Sequence, residues 1–385
     1  MFERRCLIVV SLAASLLMIG VGMIVALLPQ RVLALSGSIQ EVGHLASVFA
    51  LSYLMLQLPI GRLADRFGAK PFLLLGYALC CLSGLVFSQA QSVEPLLLGR
   101  AIQGAGEAPI WALGPALLAR AYPKAKGRTI GIYNAAIHAG LTLGPLTGIL
   151  LFPTAEGSGP FLVFAVLCLA GGLLVLLALP ALPERPKSLL GRTPTLRDLL
   201  RLLKAGDRLA VLCGILLYGA GYGLFVSVLP ASLVLSKGFD AASTGLFFAL
   251  FYLAISLSQL VVGPLSDRQG RRRYMVAGLA MASIGFATLA PLPGPWVYAP
   301  LALASFGLGV FCVASIAYLS ESVPDSLKAA TSGSYYLAWG LGYFLGPLAI
   351  GALPDPWLGY WILATLFGVQ AVVLGLGRAS KPDGL

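Results

Sequence analysis

Gly61-Arg62-Leu63-Ala64-Asp65-Arg66-Phe67-Gly68 and Gly263-Pro264-Leu265-Ser266-Asp267-Arg268-Gln269-Gly270 are two versions of one pattern, Gly-x-Leu-x-Asp-Arg-x-Gly, set 202 residues apart. The same spacing carries Gln57 onto Gln259 and Gly144-Pro145 onto Gly346-Pro347. Leu28-Pro29 falls on Leu229-Pro230, one residue out. A chain of 385 residues that repeats at about half its length is built from two similar halves. Each copy of the pattern is a short charged loop between two long apolar runs, so the units being repeated are sets of apolar spans.

Outward from these loops, charge-free runs cover 6–30, 42–61, 71–93, 129–155, 157–183, 209–236, 241–266, 329–354 and 356–377. The run 274–320 is too long for one membrane crossing, and Pro291-Leu292-Pro293-Gly294-Pro295 divides it in two. The run 95–119 is apolar apart from Arg100 and Glu107. Each is long enough for a helix crossing a bilayer, which takes about 20 residues, so the count is twelve. Helices follow because lipid offers no partner to an unpaired backbone group, and the alternating polar residues of a barrel strand are missing. The expected fold is an all-α membrane protein, with twelve transmembrane helices in two pseudo-symmetric six-helix halves. Residues 1–180 form the first half and 209–385 the second. The polar stretch 181–208 joins them on the cytoplasmic side, with a short amphipathic helix expected over 196–203.

Composition agrees. Hydrophobic residues make up 58%, charged residues 11%, and mean hydropathy is +0.89. A soluble domain carries about 25% charge. This excludes a cytosolic enzyme, a nucleic-acid-binding domain and a disordered chain. Net charge is +11, and its placement explains it. With the N-terminus inside, 23 of the 26 Lys and Arg lie in inner loops or termini; Arg31 and Lys237 lie outside and Arg100 lies within a span. The positive-inside rule therefore places both termini in the cytoplasm, in a multi-pass protein of the cell's inner membrane. The first run is longer than the apolar core of a signal peptide, about 7–15 residues, and it has a counterpart in the second half. Cys6, Cys80, Cys81, Cys168, Cys213 and Cys312 lie in or beside apolar runs without metal spacing and are read as small core residues.

The doubled loop resembles motif A of the major facilitator superfamily, and the resemblance extends over essentially the whole chain. Leu96-x3-Arg100-x2-Gln103-Gly104-x-Gly106 is similar to its motif B. Gly140-x3-Gly144-Pro145-x2-Gly148 is similar to motif C, a signature of proton-coupled antiporters; Ile149 stands where that motif has a further glycine. The twelve-helix drug–proton antiporters are the nearest pattern. The resemblance implies that Asp65, and Asp267 as its mirror, face a helix N-terminus in the opposite half and help close the cytoplasmic side. Gly61, Arg66, Gly68, Gly263 and Arg268 complete these gating loops, with Gly61 and Gly68 expected to allow a tight reversal. It also implies that the motif C stripe seals the contact between halves.

Read from the residues themselves, Gly140, Gly144 and Gly148 form a stripe that admits close helix approach, and Pro145 removes a backbone hydrogen bond. Arg100 and Glu107 are the charges placed well inside spans, where burial is costly and function is the default reading. Arg100, Gln103, Glu107 and Trp111 share one helix face. Their spacing puts the Cα atoms of Arg100 and Glu107 about 10 Å apart, too far for a direct pair without extended side chains. Asn134, His138 and Thr142 form a polar stripe, with His138 either a buried neutral histidine or a proton relay. Glu107, Arg100 and His138 are therefore the proton-coupling candidates. Gln103, Trp111, Asn134, Tyr218, Tyr222 and Trp339 are the substrate-binding candidates, the aromatics offering stacking and cation–π contact. The family's cavity-lining spans favour the span 7 aromatics over those of span 11.

The expected function is secondary active transport: proton-coupled export of small amphipathic compounds by alternating access, with a small-molecule substrate, protons and the lipid bilayer as partners. The chain is expected to act as a monomer without cofactor, metal or nucleic acid. Export or import of a specific metabolite (sugar, amino acid or siderophore) on the same fold is the alternative, and a non-transporting membrane sensor a further one. Neither a metal motif nor a Ser/Lys pair supports an intramembrane enzyme, and no nucleotide-binding loop supports ATP drive.

Overall fold

The computed structural model describes residues 2–122, 126–152, 157–180, 207–323 and 328–377. The expected amphipathic helix over 196–203, and almost all of the joint 181–208, lie outside them. Thirteen α-helices run through the described residues: α1 (Phe2–Ser36), α2 (Ile39–Phe67), α3 (Ala69–Gln89), α4 (Val93–Ala121), α5 (Lys126–Leu151) and α6 (Gly159–Ala178). They continue as α7 (Arg208–Phe225), α8 (Val228–Lys237), α9 (Ala241–Gln269), α10 (Arg271–Leu289), α11 (Tyr298–Glu321), α12 (Lys328–Gly351) and α13 (Pro356–Leu376). Nine of them are long and apolar enough to cross a membrane on length and composition alone. The chain is an all-α membrane protein with the twelve-helix architecture. Pro291 to Pro295 divides the long run as expected, into α10, a 3-10 turn at Gly294–Val297, and α11.

The thirteenth helix arises because the run 209–236 is not one helix. α7 ends at Phe225, and Ser227 leaves helical geometry at φ −142°, ψ −86°. Pro230 lies in the first turn of α8, where its missing N–H costs nothing; in an unbroken helix its ring would meet the carbonyl of Val226. α1 carries the equivalent Pro29 and continues to Ser36.

The gating loops differ from expectation in one respect. The helices run to Phe67 and Gln269, so Gly61 and Gly263 lie within α2 and α9 and turn nothing. Each reversal is made at a single residue, Gly68 (φ +83°) and Gly270 (φ +93°). That region is strained for any residue bearing a Cβ.

Two compact units result, residues 1–186 with 226–252, and residues 187–225 with 253–385. Within the first, the motif C stripe packs on α1. A Cβ at Gly140 would meet the Ser15 carbonyl oxygen at 2.7 Å, one at Gly148 would reach Met23, and Gly144 is closed off by Ile19 and Gly22. Pro145 stands opposite Gly22. Within the second, Gly342 and Gly346 of α12 pack against Leu216 and Ala220 of α7, and Pro347 stands opposite Gly223. α3 crosses α4 with Gly76 on Gly106, and α10 crosses α11 with Gly278 on Gly307. The repeat read in the sequence is thus a repeat of helix crossings, each needing glycine because two backbones touch.

Candidate functional site

α4 is the helix that buries charge. Gly104 abuts the backbone of Phe49 in α2, and Gly106 abuts Gly76 in α3, so the helix is drawn in on both sides. Side chains on the same face are forced inside: Arg100 is 4% exposed, Gln103 0% and Glu107 3%. The expected face forms, and its four members are joined in series. Arg100 Nη1 donates to Gln103 Oε1 at 2.9 Å. Gln103 Nε2 donates to Glu107 Oε1 at 2.9 Å, and Trp111 Nε1 donates to Glu107 Oε2 at 3.1 Å. Gln103 thus spans the gap that a direct pair could not.

α2 holds the other side of Arg100. Its Nε donates to the Leu45 carbonyl at 3.2 Å, and its guanidinium carbon lies 4.3 Å from the centre of the Phe49 ring. A buried guanidinium is tolerable only when its charge and donors are met. Here a carbonyl, an amide oxygen and a π face meet them. Leu45 and Phe49 escaped the sequence reading, because a backbone carbonyl and a lone aromatic leave no pattern. Tyr133 escaped it too. Its hydroxyl donates to the Ile110 carbonyl at 3.0 Å, tying α5 to α4.

His138 is half-buried, and its Nδ1 is enclosed without a hydrogen-bond partner. Thr142 Oγ1 donates to the His138 carbonyl at 2.9 Å, and Asn134 is exposed. Among the described residues no hydrogen bond joins this stripe to Glu107.

In the second unit the aromatics of α7 and α12 form one cluster. Tyr222 lies edge-on to Trp339 (5.8 Å) and Tyr343 (6.0 Å), and Trp339 stacks on Tyr343 at 5.2 Å. Tyr218 extends it at 6.2 Å from Tyr222. Tyr222 and Trp339 are half-buried. Phe225, one turn further along α7, packs on Phe286 of α10 at 5.1 Å.

Of the gating residues, the Asp65 side chain lies outside the described ones. Arg66 is exposed beside Phe67, and Arg268 is exposed. Asp267 is paired with Arg271, whose guanidinium also reaches Glu321 of α11 at 2.7 Å and Ser266 Oγ at 2.6 Å. Arg272 donates to the Leu374 carbonyl and lies 3.4 Å from Asp207. Charge counting treats Arg271 and Arg272 as solvated inner-loop residues; instead they fasten α9, α11 and α13 around the start of α10.

Among the described residues no cluster of His, Cys, Asp or Glu could hold a metal ion. The first unit holds a buried, hydrogen-bonded carboxyl, and the second, by itself, holds a cluster of aromatic rings.

A family model for the Major Facilitator Superfamily matches residues 10–209 and 211–383. The chain belongs to the Major Facilitator Superfamily, and it is a membrane transporter and not an enzyme. Among its relatives are the class G tetracycline resistance protein of Vibrio anguillarum, 29% identical, with 93% of this chain and 92% of the relative covered. The class C tetracycline resistance protein of Escherichia coli is 28% identical, with 99% of each covered. A crystal structure of the nucleoside transporter NupG shares the fold at a TM-score of 0.77 and 14% identity, with 98% of this chain and 100% of that one covered.

Proposed function

We propose that the chain is a proton-coupled exporter of small amphipathic compounds, a multidrug-type antiporter working by alternating access. The observation behind this reading is Glu107: a carboxyl 3% exposed, deep in a span and hydrogen-bonded through Gln103 to Arg100. A charge kept there at a cost of about 2.5–3.5 kcal/mol needs a reason, and exchanging a proton as the site opens to alternate sides supplies one. Tyr218, Tyr222 and Trp339 present the stacking surface for a flat or cationic substrate. The bacterial relatives, tetracycline resistance proteins, point towards efflux. The protein acts as a monomer in the inner membrane with both termini cytoplasmic. Residues 1–180 and 209–385 are the halves that rock, and Asp65 and Asp267, near the ends of α2 and α9, bias the two states.

The test is substrate-induced proton release from purified protein in detergent, with tetracycline first in a panel of amphipathic drugs. The parent releases protons on binding. Glu107→Gln binds without release and loses proton-driven export in proteoliposomes. Release from Glu107→Gln equal to the parent's would make the carboxyl structural.

A further inference from the structure

The hydrogen bonds around Glu107 suit an ionised carboxyl. An arginine guanidinium donates only, and so does an indole N–H. Arg100 Nη1 therefore requires the oxygen of the Gln103 amide, which turns the Gln103 NH2 towards Glu107. Trp111 Nε1–H faces the other carboxyl oxygen. Both Glu107 oxygens accept from N–H groups, as an ionised carboxylate does.

A proton on this carboxyl adds a donor to one oxygen and weakens it as an acceptor, and every described group bonded to it is already a donor. On Oε1 the new O–H would confront the Gln103 NH2. Relief there requires the amide to reverse, which sets its NH2 against Arg100 and strips a buried guanidinium of its acceptor, both residues being 4% exposed or less. On Oε2 the new O–H confronts only Trp111, which is half-buried and free of any such chain. The proton is therefore accommodated at Oε2, and Trp111 is the group that gives way. With the indole gone, the O–H can donate to water or to an acceptor atom on a substrate.

We propose, resting on the coupling role given to Glu107, that Trp111 is a latch set by the proton: held on Glu107 Oε2 while the carboxyl is ionised, and released when Oε2 is protonated. It acts as a positioning residue, converting a proton at one atom into a large side-chain movement at the edge of the site.

Other groups facing this point do not imitate the effect. α4 contributes Arg100, already engaged. From α3 the Cys80 thiol lies against the Gln103 carbonyl, and Tyr77 is buried alongside Gly171. From α2 come Phe49 and Tyr53, with His44 and Glu41 paired at its outer end. α1 carries no charge between Cys6 and Gln30. α5 brings Tyr133, bound to the Ile110 carbonyl, and His138, whose Nδ1 has no hydrogen-bond partner among the described residues.

The experiment is a tryptophan-emission titration of the full-length protein in detergent, without substrate, from mildly acidic to mildly alkaline pH. Parent, Trp111→Phe, Glu107→Gln and His138→Gln are compared, and infrared difference spectra follow the carboxyl. The parent shows a pH-dependent emission component that disappears in Trp111→Phe. In Glu107→Gln, whose amide mimics the protonated acid, Trp111 emission stays at its acidic value throughout. His138→Gln retains the transition. The latch is overturned if the component survives in Glu107→Gln, if it is lost in His138→Gln, or if infrared spectra show Glu107 titrating while Trp111 emission is constant. If emission behaves as stated but tetracycline and the drug panel release no proton, the latch stands and the coupling reading falls.

Discussion

α4 and α11 cross their neighbours at equivalent glycines, Gly106 on Gly76 and Gly307 on Gly278, yet they bury opposite chemistry. Counted from those glycines, Arg100, Gln103, Glu107 and Trp111 of α4 correspond to Leu301, Ala304, Leu308 and Cys312 of α11. Leu301, Ala304 and Leu308 are fully buried, and Ala304 is pressed against Gly285 of α10, leaving no volume for a glutamine there. One crossing geometry thus supports a charged series in one half and a plain apolar core in the other. The repeat specifies how helices approach, while the residues lining each crossing decide which half holds the buried carboxyl. The second half contributes its aromatic cluster instead.

Each test of this contrast has a definite expected outcome. The largest effect belongs to the charge. Glu107→Gln should abolish proton-driven export, while Leu308→Gln, at the matched position, should leave export coupled in whatever protein folds. Loss of coupling in both would mean that the halves share the role. Next comes the cost of a charge without partners. Leu308→Glu should lower stability by about 3 kcal/mol, read as a fall in thermal midpoint in detergent, because Leu301 and Ala304 stand where α4 has Arg100 and Gln103. A midpoint equal to the parent's would show that α11 hosts a carboxylate as readily as α4.

The crossings themselves should respond alike. Gly106→Ala and Gly307→Ala each drive a methyl group into a facing backbone, with carbonyl oxygens 2.8 Å and 2.6 Å from the new atom. Losses of about 1–3 kcal/mol in each are expected, and a large difference between them would deny the structural equivalence. The smallest effect is at the start of α10. Arg271→Ala removes the pairs with Asp267 and Glu321, whose carboxylates are exposed, and should cost about 1 kcal/mol, an effect that shrinks further as salt is raised.

Much of the site was legible before the fold was known. Arg100, Gln103, Glu107 and Trp111 recur at helical spacing in an otherwise apolar run, so a shared face followed from geometry alone. That Gln103 links the charges did not follow, because side-chain rotamers decide it. Phe49 and Leu45 hold Arg100 from another helix, and no local pattern announces a tertiary contact. Likewise Tyr222 and Trp339 lie over a hundred residues apart, and only the packing of α12 on α7 makes them one surface.

By itself the sequence determined the membrane class, the two-fold repeat and the twelve spans. These rest on hydrophobic length and charge count, both additive along the chain. Tertiary structure alone decided that α7 breaks before Pro230 while α1 passes through Pro29. It also decided that the motif C glycines are spent on α1, that Arg271 and Arg272 brace a helix end, and that each Glu107 oxygen has a donor of its own. Those outcomes depend on which atoms meet across helices, and a hydrogen bond or a backbone contact is satisfied at distances that no one-dimensional pattern contains.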